Sequence, residues 1–311
     1  MSDDRTPNIG VIINEGKELG EGLEMLRAVL AEHGHADPPW YEVSKSKKAP
    51  KKIHKLVEKH GVDRVLMWGG DGTVRRAINT ILSDDLGDIE VGILPAGTGN
   101  LLAQNLGIPI DLRQAAEIAI AGDPRPIDVG AVNGNHFAVM AGTGFDALMI
   151  AEADDAELKD RYGRLGYVMA GARHTKIPPA HAEVRVDGEP WFAGDASCVL
   201  VANVPTILGG VTVFPDASMT DGRLDVGVAK ASSRTDWVRL LGRAVTRRPE
   251  RSPLAEMTTF STLTITLDRT LPWEVDGGDR DRTDSYEVVC KPKAIRICQP
   301  RADAQHQEHT S

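Results

Sequence analysis

An apolar run, Val65-Leu66-Met67-Trp68, breaks into Gly69-Gly70-Asp71-Gly72-Thr73 and continues in a helical pattern. This stretch constrains the chain more than any other. A short apolar run is what a buried parallel strand looks like, and three glycines in four positions open backbone angles closed to other residues. Without side chains, Gly69, Gly70 and Gly72 let a ligand approach the main chain. A helix over residues 73–83 would place its unsatisfied amides, and their partial positive charge, beside them. The stretch therefore reads as a phosphate-binding turn, with Asp71 as the acid that a divalent cation would join to phosphate. Taken alone, it also reads as an ordinary glycine turn with a helix-capping carboxylate.

A second turn narrows the choice. Val91-Gly92-Ile93-Leu94 reads as the next strand, Pro95-Ala96-Gly97-Thr98-Gly99-Asn100 as its turn, and residues 101–106 as the start of a helix. Upstream, Ile9 to Asn14 reads as a first strand, followed by a helix with Leu23, Leu26, Val29 and Leu30 inward, and Trp40 to Val43 as a second strand. Strands alternating with helices at this rhythm predict a parallel sheet with right-handed crossovers. Such sheets bind ligands beyond the carboxyl ends of their strands, so Gly97, Thr98 and Asn100 are expected on the same rim as the first turn. Lys17, just past the first strand, could reach a phosphate there and serves equally as a surface lysine.

The 311 residues exceed what one core usually organises, so two domains are expected. From about Ile127 the pattern becomes short and strand-like, at residues 138–139, 182–186, 198–201, 224–229 and 263–267, with a hairpin signal at Asp187-Gly188. Helical passages interrupt it at 158–172 and 234–245. The expected division is an α/β nucleotide domain over 1–127, a β-rich sandwich over 128–298, and a disordered polar tail over 299–311.

A net charge of −9 argues against nucleic acid and against attraction of the whole molecule to anionic membranes, while leaving room for a local basic patch. The lysines from Lys45 to Lys59, the acidic run from Glu152 to Asp160 and the Arg239, Arg243, Arg247 row read first as solvated faces. The arginine row could also meet anionic headgroups. Cys198, Cys290 and Cys298 read as buried thiols in a reducing compartment. Neither a leader nor a membrane-length apolar stretch is seen, so the expected location is cytoplasmic, with peripheral membrane contact at most.

The paired turns, GGDGT at Gly69 to Thr73 and PAGTGN at Pro95 to Asn100, resemble the soluble bacterial diacylglycerol kinase family, which is itself similar to sphingosine and ceramide kinases. Supporting matches are Ile127 to Gly130, Tyr162-Gly163 with Gly166-Tyr167, Phe214 to Ala217, Thr220 to Asp225, and Val275 to Gly277. The resemblance implies an ATP-dependent lipid kinase acting on a lipid at the membrane surface, with diacylglycerol as the leading acceptor and the active site in the cleft between the domains. It implies ATP contacts from Gly69, Gly70, Asp71, Gly72, Thr73 and Thr98. It places a structural magnesium on Asp221 and the backbones of Ser218 and Arg223, with Asp128 in support, and a catalytic base at Asp276.

Three departures accompany the match. The first loop is Asn14-Glu15-Gly16-Lys17, shorter than the family's and lacking its proline; Leu101 stands where some members have an aspartate; and the late motif reads Asp276-Gly277-Gly278-Asp279, without the family's glutamate. The rival readings are an NAD kinase, which shares GGDGT, and a non-catalytic, nucleotide-regulated lipid binder. Oligomeric state, a homodimer included, is not readable from the sequence.

Overall fold

The computed structural model describes residues 6–15, 22–144, 178–207, 211–245 and 252–301. Lys17, the expected helix over 158–172, the 152–160 acidic run, the tyrosine–glycine pairs at 162–167, Arg247 and the chain beyond 301 lie outside these. Two compact units are formed, one of residues 1–127 with 293–311 and the other of 128–292. The sequence reading ran the second domain to 298; the second unit ends at 292, and the last strand finishes in the first.

The first unit begins β1 (Ile9–Asn14), α1 (Gly22–Glu32), β2 (Trp40–Val43) and a 3-10 turn (Ser46–Lys48). It continues through α2 (Ala49–His54), a π-type turn (Lys55–Lys59), β3 (Arg64–Gly69), α3 (Asp71–Ser83), β4 (Glu90–Pro95), α4 (Leu101–Asn105) and α5 (Leu112–Ala121). Strands β2, β1, β3 and β4 lie side by side and are all parallel. Every residue of β3 is buried, as a strand covered on both faces must be, which is why its sequence shows no polar alternation. On α3, Val74, Ala77, Ile78 and Ile81 recur at helical spacing and are buried. Arg64 is buried and paired with Glu90, and its guanidinium also donates to the Ile120 carbonyl, tying β3 to β4 and to α5.

β5 (Asp123–Val132) leads into the second unit. There the chain forms β6 (Asn135–Phe137), β7 (Met140–Thr143), β8 (Ala180–Val186), β9 (Glu189–Ala196), β10 (Cys198–Ala202), β11 (Thr206–Ile207) and β12 (Val211–Thr212). After β13 (Leu224–Ala229) comes α6 (Arg234–Val245), then β14 (Ala255–Phe260), β15 (Thr262–Val275) and β16 (Gly278–Gln299). The pairing is antiparallel from β14 through β13, β10, β7 and β15 to β16, and β8 joins β15 to β9. Phe137, Phe260, Val226, Leu263, Ile265 and Val288 lie at the heart of its apolar core.

Two-residue turns close three hairpins: Asn133-Gly134, Asp187-Gly188 and Asp276-Gly277, each with positive φ at both positions. That geometry matches the twist of the flanking strands and explains the Asx-Gly dipeptides. Residues 138–139, expected as strand, are instead the link between β6 and β7, because their amides go to a side chain rather than to a ladder. Among the described residues, no helix is long and apolar enough to cross a membrane.

Candidate functional site

In the first unit, strand gives way to helix across Gly70 alone. The second glycine turn lies directly against it. A methyl on Gly70 would stand 2.9 Å from the Gly97 Cα, and one on Gly97 2.6 Å from the Gly70 Cα. These are backbone atoms that cannot rotate away, so the two turns pack main chain on main chain. Gly69 is required for a different reason: a methyl there would lie 2.6 Å from the Thr73 hydroxyl oxygen. Gly72 faces nothing within 4 Å. The start of α3 is thus open on that side, while the Thr73 and Val74 amides donate to the Gly70 carbonyl.

The polar side chains of the turns are engaged in building them. Thr73 is buried, and its Oγ1 accepts from Asn14 Nδ2 at 3.1 Å, joining α3 to the end of β1. Asn100 adopts the left-handed conformation, φ +49°, which asparagine tolerates better than most residues. It closes a ring with Gly97, whose amide donates to Oδ1 and whose carbonyl accepts from Nδ2, both at 2.8 Å. The Asn100 amide group is therefore the brace of the second turn, where the sequence suggested a ligand contact. Thr98 is exposed at the crest of that turn.

Asp71 turns its carboxylate toward the second turn as well. It accepts from the amides of Leu102, Leu101 and Asn100, the first at 3.4 Å. Burial raises its pKa above the ordinary value, and the amides offset only part of that. A residue expected to join metal to phosphate thus also caps α4 and holds the turns together.

In the second unit, Asp276 is the first residue of the β15–β16 turn and is buried. Its carboxylate accepts three main-chain amides: Ala138 on Oδ2 at 3.0 Å, and Val139 and Met140 on Oδ1 at 3.0 and 2.8 Å. Its own amide donates to the Met140 carbonyl. From the other side Asn203, also buried, donates Nδ2 to the carbonyls of Ala138 and Asp128 and its amide to Val139. The 138–140 link is clamped between the two. Sequence reading missed Asn203, although one polar residue inside the apolar run from Val199 to Val204 was a usable signal.

The expected magnesium residues come together around the 214–225 loop. Asp128 is fully buried; its Oδ2 accepts from the Gly222 amide at 2.7 Å, and its amide donates to the Met219 carbonyl. Asp221 is exposed, and its Oδ1 accepts from the Arg223 amide at 3.0 Å. The Ser218 hydroxyl accepts from the Thr220 amide. The Arg223 guanidinium is turned to Asp187 and the Thr259 carbonyl. Nearby Asp225 is pushed up to about 6, by burial first and then by the charges of Asp221 and Asp216. Mutually repelling carboxylates and main-chain oxygens form the hard donor set that suits magnesium. Among the described residues no three acidic, histidine or cysteine side chains are placed to hold an ion by themselves, so main-chain carbonyls or water would complete its shell.

Comparison with known proteins adds the following. Residues 8–132 match the model of the diacylglycerol kinase catalytic domain, and residues 139–299 that of the YegS C-terminal NAD kinase beta sandwich-like domain. The chain is 29% identical to the diacylglycerol kinase of Mycobacterium tuberculosis over 248 residues, 78% of each chain. It is 30% identical to the "probable lipid kinase YegS-like" protein of Shewanella frigidimarina over 234 residues, 74% of each. A crystal structure of a diacylglycerol kinase from Bacillus anthracis has the same fold, with a TM-score of 0.75 at 20% identity, covering 95% of this chain and 98% of that one.

Proposed function

The chain belongs to the diacylglycerol kinase catalytic-domain family, and on that premise we propose that it transfers the γ-phosphoryl group of ATP to a lipid hydroxyl, diacylglycerol being the acceptor. The observation that carries the reading is the packing of the Gly70 turn on the Gly97 turn, with open space beside Gly72 at the start of α3. Phosphoryl transfer asks a protein for positioning and charge neutralisation more than for covalent chemistry.

In this scheme Gly69, Gly70, Gly72 and Thr73 seat the phosphates, Thr98 reaches the nucleotide from the crest of its turn, and Asp71 fixes both turns. Lys17 is assigned to the same phosphates on its place after β1. Magnesium, when bound, supplies neutralisation of phosphate charge. Asp221 and the Ser218 and Arg223 backbones would hold the structural ion, with Asp128 supporting the loop through the Gly222 amide. The acceptor oxygen bonds to the γ-phosphorus as that phosphorus separates from the bridging oxygen, ADP leaves, and the hydroxyl proton passes to a base. Asp276 takes that role. Because the amides of Ala138, Val139 and Met140 donate to its carboxylate, it does so from a rigidly held position.

That same engagement of the carboxylate, together with the missing glutamate of the late motif, favours one second reading, a nucleotide-regulated lipid binder without turnover. Incubation with γ-labelled ATP and a mixed lipid extract separates the alternatives. Label in a lipid supports the kinase, label in a dinucleotide supports NAD kinase chemistry, and ATP binding without transfer supports the binder.

A further inference from the structure

We propose that the lysine-covered face formed by the 3-10 turn, α2 and the π-type turn is a docking surface for an anionic lipid bilayer. Residues 45–59 carry seven lysines, at 45, 47, 48, 51, 52, 55 and 59, and a single acid, Glu58, in a chain of net charge −9. Ala49, Ile53 and Leu56 are buried, so the apolar stripe faces the core and the lysines clothe the outside. Lys45, Lys47, Lys48, Lys51 and Lys59 are exposed.

Two observations separate this face from an ordinary solvated one. First, it is uncompensated. Elsewhere in the same unit Arg64 pairs with Glu90, Arg113 with Glu32, Arg125 with Asp123 and Arg296 with Asp88. Among the described residues, no carboxylate forms an ion pair with any of the seven lysines; Glu58 and the neighbouring Asp84 are both held by His54. Lys48 with Lys52, Lys51 with Lys55, and Lys55 with Lys59 stand four residues apart, a spacing at which like charges oppose helix formation. Second, the face has an aromatic floor. The Lys52 ammonium lies 4.7 Å and the Lys55 ammonium 6.0 Å from the Tyr41 ring centre.

Flexible, strongly hydrated point charges suit a diffuse layer of headgroups better than the forked, planar recognition that arginine gives. Tyr41 is covered by lysines and offers no open platform for stacking bases, which disfavours single-stranded nucleic acid. A bilayer meets only one face of the molecule, so the acidic remainder need not approach it. The choice of a lipid surface among polyanions rests on the lipid-kinase reading above. Each lysine held near an anionic membrane contributes a factor of about five in partitioning.

The test is vesicle sedimentation with phosphatidylcholine alone and with added phosphatidylglycerol, for the wild type and for Lys47→Glu/Lys48→Glu/Lys51→Glu. A second triple variant with glutamine at the same positions relieves the lysine repulsion and guards against misfolding. The wild type should bind only the anionic vesicles and release with salt. The glutamine variant should lose about a hundredfold in partitioning, and the glutamate variant, which reverses the three charges, more than that. Equal binding to neutral vesicles, unchanged binding by the triple variants, or duplex DNA displacing the protein from vesicles would overturn the proposal. Phosphorylation of short-chain diacylglycerol in neutral micelles reads the kinase separately, and the variants should match the wild type there. Lysine-dependent vesicle binding without any transfer would uphold the surface and sink the kinase.

Discussion

Gly70 and Gly97, on turns that follow successive parallel strands, touch through their main chains with no room for a methyl on either. Gly72, two residues away, faces open space. The three glycines therefore separate structure from ligand binding. Gly70→Ala and Gly97→Ala should each lower unfolding stability by about 1 to 3 kcal/mol, the usual cost of overpacking. Gly72→Ala, inside the first turn of α3, should hold or gain stability by up to about 1 kcal/mol. It should nevertheless weaken ATP binding at least tenfold, because the added methyl enters the space the phosphates need. Thermal melts with and without ATP check both halves, and full ATP affinity in Gly72→Ala would remove the phosphates from that space.

Asn100 is held in a left-handed conformation and braces Gly97 with two hydrogen bonds. Asn100→Ala loses both and places alanine where it costs about 1 to 2 kcal/mol. Stability and ATP affinity should fall together in a calorimetric titration. A loss of affinity with unchanged stability would mean that the side chain contacts ligand and does not brace the turn.

Asp276→Asn exchanges a carboxylate that accepts three amides for a group that presents an amine to at least one of them. An unmet buried donor costs about 1 to 3 kcal/mol, so the melting temperature should drop. Turnover should fall by 10² or more if the same carboxylate is the base. Lost stability with retained turnover leaves Asp276 only as the clamp of the 138–140 link, and lost turnover with full stability leaves it only as the base.

Asp225 titrates at about 6 in the folded protein, above its ordinary value of 3.8. A carboxyl raised on folding contributes stability that is complete below the unfolded value and is lost as pH rises through the folded one. In chelator, the wild type should therefore lose stability between about pH 4 and pH 6 from this group. Because the carboxylate is only partly buried and solvent screens it, the loss is on the order of 1 kcal/mol. Asp225→Asn should melt higher than the wild type at neutral pH and equal to it near pH 4. A difference independent of pH would contradict the assignment.

The glycine turns and parallel strands were legible because their signals are local. A strand such as β3 is apolar along its whole length, and GGDGT and PAGTGN mark where it and β4 stop. β13 was read over its full span from its apolar pattern. Of the 14-residue β15 only 263–267 was read, and β16 was missed, since runs such as Asp-Arg-Asp-Arg-Thr-Asp resemble loop. Asp276-Gly277 carries the same turn signal as Asp187-Gly188, and Asp276 is both turn and clamp. The partners of Asp71, Asp128 and Asp276 were not legible. They are main-chain amides 31, 94 and more than 130 residues away, and amides have no sequence signature.

The central claim is phosphoryl transfer to a lipid on the paired glycine turns. It is tested most directly by following label from γ-labelled ATP into the organic phase with diacylglycerol in neutral micelles, for the wild type and Gly72→Ala. The account predicts labelled phosphatidic acid from the wild type and at least a tenfold slower rate, at subsaturating ATP, from the variant. No label in lipid from a wild-type protein that binds ATP would contradict it.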